Sequence, residues 1–190
     1  GKWYSRDDHG RPPLPQDEEA ADAYRTASAF WRSQGYLHYE VSSYARSEAD
    51  KSRHNSGYWK PQASWRGLGL GAASSEEGAR FSRPRKMRDY EAWVADGAIV
   101  PESSPPHGAD ALEDELLTGL RTAAGIDLTR IHDVYGSMYE AAVRRGAQEA
   151  IDLGLAVVEG DLLKLTDPDG FLFSNYALAS VFAEVGDVCV

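Results

Sequence analysis

A histidine with two aromatic neighbours is the part of this sequence best suited to chemistry. His54 and Asn55 are followed by Tyr58 and Trp59 in a polar segment. An imidazole is a common metal ligand, and aromatic faces suit a flat apolar molecule. The motif therefore predicts a loop site for a flat, apolar ligand with a coordinating centre. From these residues alone, a loop histidine whose ring caps a turn remains the alternative.

A glycine-rich run follows this motif. Gly67, Gly69 and Gly71 alternate with leucines, and Ala-Ala-Ser at 72–74 comes next. Glycine allows a backbone to lie close against a cofactor. We exclude a dinucleotide fingerprint, because no helix N-terminus and no downstream ribose-binding acid fits it. We expect a strand over 65–73 whose end approaches a cofactor.

A helix and a strand precede the motif and must position it. Acids at 17–19, just after Pro15, predict the start of a helix that ends at Gly35. Residues 36–42 alternate apolar and polar side chains, which predicts a strand and so one α/β unit. We expect residues 46–60 to form a polar loop. The polar face of this strand consists of His38, Glu40 and Ser42. It either points into a wet cavity or lies half exposed.

The character of the chain changes after a proline-rich break at 101–108. Periodicity predicts helices at 87–94, 109–121, 129–135 and 137–154, strands at 155–159 and 162–166 about a Gly160-Asp161 turn, and a final helix from about Leu172 to Phe182. Helices followed by a two-stranded ribbon describe a small winged-helix-like domain.

Charge and composition narrow the possible partners. The formal net charge is −10 and the pI is near 4.9, which argues against nucleic-acid binding. One basic cluster consists of Arg80, Arg83, Arg85, Lys86 and Arg88. We interpret it as a solvated loop that leads into a helix. No apolar run approaches the ~20 residues that a membrane span needs.

Cysteine and histidine usage limits metal chemistry. Cys189 is the only cysteine, so the sequence has no disulfide framework and no thiolate cage. The five histidines lack the spacing of a zinc site. We expect the isolated chain to bind no iron–sulfur cluster. The start at Gly1-Lys2, without methionine, suggests a piece of a longer protein.

Several motifs together resemble one known family. They are Tyr39-Glu40-Val41-Ser42, His54-Asn55-x-x-Tyr58-Trp59, the run from Gly69 to Ser74, Leu117-Thr118-Gly119-Leu120-Arg121 with Gly125, and Leu163-Lys164-Leu165-Thr166. This set resembles the radical S-adenosylmethionine (SAM) family of oxygen-independent coproporphyrinogen III oxidase-like proteins, and within it the HemW branch of heme chaperones.

The resemblance implies a fold and a domain division. The fold is α/β: the C-terminal part of an incomplete radical SAM (β/α) barrel, followed by a small helical, winged-helix-like domain with a β-hairpin. The implied boundaries are 1–75 for the end of the barrel, 76–105 for a helix and linker, and 106–190 for the C-terminal domain. The family's C-x-x-x-C-x-x-C loop, which holds a 4Fe–4S cluster, has no counterpart in this chain. The resemblance thus implies SAM, the cluster and heme as cofactors of the full-length protein, whereas we expect the isolated chain to cleave no SAM and to hold none of these cofactors stably.

The resemblance also implies site residues. His54 corresponds to the histidine of the heme-associated motif, as an axial or covalent attachment point, with Tyr58 and Trp59 shaping an apolar wall. Gly71, Ala72 and Ala73 correspond to the strand end beside the adenosine of SAM. Many relatives have histidine where Ala73 stands, so only a backbone contact is expected at that position.

Two functions compete. The first is a heme chaperone that binds heme and delivers it to client hemoproteins. The second is an oxygen-independent coproporphyrinogen III oxidase, which forms protoporphyrinogen IX. A bare fragment without activity is the third interpretation, and whether the chain acts in catalysis is left open. The expected location is the cytoplasm, or an organelle matrix if a preceding segment carries a transit peptide.

Overall fold

The structure is a computed structural model that describes residues 15–60, 63–76, 78–100 and 104–188. The helices are α1 (Asp17–Ser33), α2 (Arg53–Tyr58), α3 (Met87–Ala95), α4 (Ala109–Gly119), α5 (Leu128–Tyr135), α6 (Ser137–Asp152), α7 (Asp169–Leu172) and α8 (Ser174–Asp187). The strands are β1 (Leu37–Glu40), β2 (Ser43–Ala45), β3 (Ala73–Glu76), β4 (Ala79–Ser82), β5 (Ile126–Asp127), β6 (Ala156–Glu159) and β7 (Leu162–Leu165).

Helix α1 begins and ends as the sequence predicts. The backbone N–H of Gln16 donates to the Glu19 carboxylate at 2.9 Å, which forms half of a capping box. Three acids occupy the first turn, where the helix dipole favours negative charge. Gly35 follows the helix with φ +79°, a conformation that glycine adopts without strain.

Strand β1 differs in its pairing from a parallel α/β repeat. Its hydrogen-bonded neighbour is β2, in an antiparallel hairpin. Backbone bonds also tie this hairpin to the segment after α4: the Val41 N–H donates to the Arg121 carbonyl at 3.1 Å, and the Ala123 N–H donates to the Tyr39 carbonyl at 3.0 Å. The first half of the chain is thereby joined to the second through its main chain.

Two of the three residues on the polar face of the predicted strand are buried, which excludes the half-exposed alternative for them. His38 is 7% exposed and Glu40 is 1% exposed, whereas Ser42 is exposed and donates to Glu40 at 3.2 Å. The Asp167 carboxylate lies 2.8 Å from His38 Nδ1 and accepts a 2.8 Å hydrogen bond from Ser28 of α1. Buried polar groups need such partners, and these partners fasten α1 and β1 to the C-terminal half.

The glycine-rich run is not the predicted strand over 65–73. Gly69 and Gly71 have φ +94° and +67°, and they turn the chain before β3 begins at Ala73. Strand β3 pairs with β4 in a second antiparallel hairpin. Trp65 joins only by an isolated bridge to Ser75. Extended backbone cannot persist through residues held at positive φ.

The largest core lies in the second half of the chain. Helices α4, α6 and α8 pack over a sheet of order β5-β7-β6. The Gly160-Asp161 hairpin is confirmed, and Gly160 has φ +62°. The predicted final helix is interrupted at Phe173, between α7 and α8. The fully buried aliphatic side chains are Leu112, Leu116, Leu120, Leu128, Ile131, Val143, Leu163, Leu178, Val181 and Val185.

The predicted fold class is confirmed as mixed α/β, with small sheets and no closed barrel in the described part of the chain. The helix at 87–94 and the helices and hairpin after residue 108 are confirmed within a few residues. Residues 101–103 of the predicted linker lie outside the described residues, and 104–107 have no regular structure. The domain boundaries at 75 and 105 stay a prediction.

Candidate functional site

His54 stands on a short helix rather than on the predicted loop. Helix α2 starts after Ser52, whose hydroxyl accepts the Asn55 N–H at 3.2 Å. Ser52 and not His54 is therefore the capping group. The helix turns His54 and Tyr58 onto one face, since residues four apart are neighbours on a helix. His54 Nε2 lies 3.2 Å from the Tyr58 hydroxyl, and the two rings meet edge to face at 5.0 Å.

Trp65 extends this aromatic face. Its ring centroid lies 5.1 Å from that of Tyr58, at an interplanar angle of 79°. Trp65 is held there by reciprocal backbone hydrogen bonds with Ser75 of β3, both of 2.9 Å. A row of three rings results, in the order His54, Tyr58, Trp65.

A cavity of about 430 Å³ opens beside this row. Its lining residues are Arg53, His54, Gly57, Tyr58, Lys60, Ala63, Ser64 and Trp65. The volume falls within the ~300–1,000 Å³ typical of ligand pockets. His54 is exposed, so its ring is accessible to a ligand. We call this space the His54 cavity.

Trp59 does not line the His54 cavity, contrary to the expectation that it shapes the wall beside His54. It lines a second cavity of about 480 Å³ together with residues of α4 and α5. Sequence reasoning missed Trp65, which takes the predicted place of Trp59. The sequence signal that could have identified it is the tryptophan seven positions after Tyr58.

The second cavity has a different charge. Its lining includes three acidic side chains, Asp114, Glu115 and Asp127, and one basic side chain, Arg130. Glu115 is paired with the Arg130 guanidinium and accepts a 3.0 Å hydrogen bond from Tyr135. Burial, followed by the nearby Glu115 charge, raises the pKa of Tyr135 to about 12. These groups satisfy one another and connect α4 to α5.

The residues predicted to adjoin SAM lie where the turn enters β3: Gly71 and Ala72 belong to the turn, and Ala73 is the first residue of the strand. The Gly71 N–H donates to the Pro84 carbonyl at 2.9 Å, and the Ala72 carbonyl accepts from the Arg83 N–H at 3.0 Å. Ala73 is exposed. A Cβ on Gly67 would lie 2.1 Å from the Ala73 carbonyl oxygen, so this loop needs glycine to close on itself. Of the three predicted residues, Ala73 presents the most accessible surface.

The basic cluster is more structured than a solvated loop. Arg80 lies in β4, forms an ion pair with Asp114 at 3.0 Å, and holds its guanidinium carbon 5.9 Å from the Trp65 ring centroid. Arg83 donates to the Ser74 hydroxyl at 2.9 Å. These two arginines brace β3 and Trp65 behind the His54 cavity.

The described residues include neither a metal-binding cluster nor a membrane-spanning helix. No group of three or more histidine, cysteine, aspartate or glutamate side chains is placed to hold a metal ion in the ranges that the structure describes. Over the same ranges, no helix has the length and apolar character needed to cross a bilayer. Cys189 lies outside the described residues.

Comparison with known proteins agrees with the motifs. Residues 107–173 match the family described as the HemN C-terminal domain. The chain is 30% identical over 203 residues to the heme chaperone HemW of Synechocystis sp., which covers 96% of this chain and 47% of that protein. It is 24% identical to the heme chaperone HemW of Bacillus subtilis, over 96% of this chain and 48% of that protein. The resemblance to the HemW branch is confirmed.

Other similarities fit the same family. A mitochondrial radical S-adenosyl methionine domain-containing protein 1 from Danio rerio is 30% identical over 62% of this chain and 28% of its own length. Among solved structures, coproporphyrinogen III oxidase (HemN) of Escherichia coli, a radical SAM enzyme, matches with a TM-score of 0.65 and 14% identity. That match covers 90% of this chain and 42% of the other, and it establishes the fold alone.

This HemW-like chain spans about half the length of the HemW proteins it matches. Because residues 107–173 match the HemN C-terminal domain, the chain resembles the C-terminal portion of these relatives, as the sequence predicted.

Proposed function

We propose that this chain is the C-terminal portion of a HemW-like radical SAM protein, and that it binds heme at the His54 cavity and delivers it to client hemoproteins. The observation that carries the proposal is the row of His54, Tyr58 and Trp65 beside a cavity of about 430 Å³. Aromatic faces suit a flat macrocycle, and an exposed imidazole suits its iron. The relatives named heme chaperones support the same function.

The His54 ring fits the role of an iron ligand. Its Nε2 lies beside the Tyr58 hydroxyl, whereas Nδ1 has no hydrogen-bond partner among the described residues. A ligating histidine usually donates its other N–H to a neighbouring acceptor, which fixes the tautomer and the ring orientation. We therefore assign ligation to Nδ1, with Nε2–H donating to Tyr58.

In the complete protein we propose that a half outside this chain holds a 4Fe–4S cluster and SAM, and that the backbone of Gly71, Ala72 and Ala73 adjoins the adenosine. The exposed Ala73 and the close turn at Gly67 support this placement. SAM and the cluster supply one-electron chemistry when bound.

We place the protein in the cytoplasm or an organelle matrix. The coproporphyrinogen III oxidase alternative rests on a structural likeness at 14% identity, which carries the fold and not the reaction.

Replacing His54 by alanine is expected to weaken heme binding by at least about tenfold and to alter the Soret band, because the iron loses its protein ligand. The measurement is a heme titration of the 190-residue chain and of H54A, followed by absorbance. The fold should survive, since His54 is exposed. Circular dichroism checks this, and Trp59→Phe, outside the His54 cavity, serves as the matched aromatic control. Equal heme affinity in H54A and the unmodified chain would overturn the proposal.

Replacing Tyr58 by phenylalanine keeps the ring and removes only the hydroxyl beside His54 Nε2. A neutral hydrogen bond contributes about 0.5–1.5 kcal/mol, so heme affinity should fall by roughly 2- to 10-fold. The same titration measures it. A rise in affinity would show that Nε2, released from Tyr58, is the ligating nitrogen, and would contradict the assignment to Nδ1.

A further inference from the structure

Two positively charged side chains line the His54 cavity without a partner among the residues that the structure describes. Arg53 and Lys60 both line it, and both side chains are exposed. Neither side chain forms an ion pair or a hydrogen bond with any residue that the structure describes. By contrast, Arg80 and Arg130, which lie near the two cavities, are each paired with a carboxylate.

The charge around these cations is unusual for this chain. The formal net charge of the protein is −10, yet no aspartate or glutamate appears among the residues lining the His54 cavity. The second cavity is of similar volume but has three acids against one base. An anionic ligand is therefore repelled from the second cavity and accepted by the first.

We infer that Arg53 and Lys60 bind carboxylate groups on the edge of the macrocycle, so that the His54 cavity selects a tetrapyrrole with free carboxylates over one whose carboxylates are neutralised. The inference rests on the proposed heme binding and adds the chemical class of its ligand. The aromatic row contacts the apolar face of such a ligand. The guanidinium of Arg53 and the ammonium of Lys60 pair with its charged edge.

The test compares iron protoporphyrin IX with its dimethyl ester, which has the same ring and iron but no free carboxylates. Exposed ion pairs are individually weak, so the two together should make the unmodified chain bind the free acid about tenfold more tightly than the ester. In R53Q/K60Q the two affinities should become equal within about twofold, because only the acid form loses its partners. Raising the salt to about 0.5 M should reduce the preference of the unmodified chain in the same direction.

Arg88→Gln is the matched control, because Arg88 is an exposed arginine of α3 outside the His54 cavity. It should keep the preference for the free acid. If the unmodified chain binds acid and ester equally, or if R53Q/K60Q keeps the full preference, the inference is overturned while heme binding stands. If the unmodified chain binds neither compound, the proposed function fails and the inference with it.

Discussion

Replacing Gly146 by alanine is expected to lower the free energy of unfolding by about 2 kcal/mol. Gly146 is buried in α6 where that helix crosses α8. An added Cβ would lie 2.5 Å from Val181 Cα and 2.8 Å from the Ser180 carbonyl oxygen. Both atoms are backbone, so the helices must separate, and overpacking of this kind costs up to about 3 kcal/mol. The higher helix propensity of alanine offsets about 1 kcal/mol of this cost.

Gly186→Ala is the control for this change. Gly186 lies in α8, where an added Cβ meets no atom within 4 Å, so alanine should stabilise the protein by about 0.5–1 kcal/mol through propensity alone. Urea unfolding followed by circular dichroism measures both variants. If G146A is as stable as G186A, then α6 and α8 do not pack as closely as described.

Replacing Asp167 by alanine is expected to cost about 1–3 kcal/mol of unfolding free energy. The Asp167 carboxylate accepts from Ser28 at 2.8 Å and lies 2.8 Å from His38 Nδ1. The His38 side chain is 1% exposed, and its Nε2 already has no partner within the described part of the chain. Without Asp167, a buried imidazole would have both nitrogens unsatisfied.

Asp167→Asn tests whether the negative charge of Asp167 is needed in addition to its acceptor oxygen. Asparagine keeps an acceptor oxygen at the same position, so it should lose less than half of what alanine loses. Hydrogen exchange gives a second readout: amides of α1 and β1 should exchange faster in D167A than in D167N, because these elements are held to the C-terminal half through Asp167. Unchanged stability and exchange in D167A would contradict the fastening role.

The helices of this protein could be predicted because their signals are local. A helix start depends on residues within one or two turns of the chain, as with the acids at 17–19 and the apolar spacing in α6. The hairpin at Gly160-Asp161 is local in the same way, so its pattern is also visible in the sequence. The strand proposed over 65–73 was wrong for a local reason too, since glycines that suggested an extended backbone instead adopt positive φ.

The candidate site was only half predictable. The motif located His54 and Tyr58, which are neighbours on one helix face. The choice between Trp59 and Trp65 depends on the bridge from Trp65 to Ser75, a pairing across ten positions that no periodicity reveals. The burial of His38 likewise depends on Asp167, far along the chain. Such contacts are set by tertiary packing, which overrides local pattern.

The identity of the ligating side chain can be observed directly by NMR of the histidine rings. The ¹⁵N-labelled chain would be titrated with gallium protoporphyrin IX, a diamagnetic analogue of heme, while ring nitrogen shifts are recorded for each of the five histidines. We predict that the His54 signals alone move to the position of a metal-bound imidazole, saturating at one porphyrin per chain. Coordination shifts at any of the other four histidines, or porphyrin binding that leaves the His54 ring unchanged, would contradict heme ligation by His54.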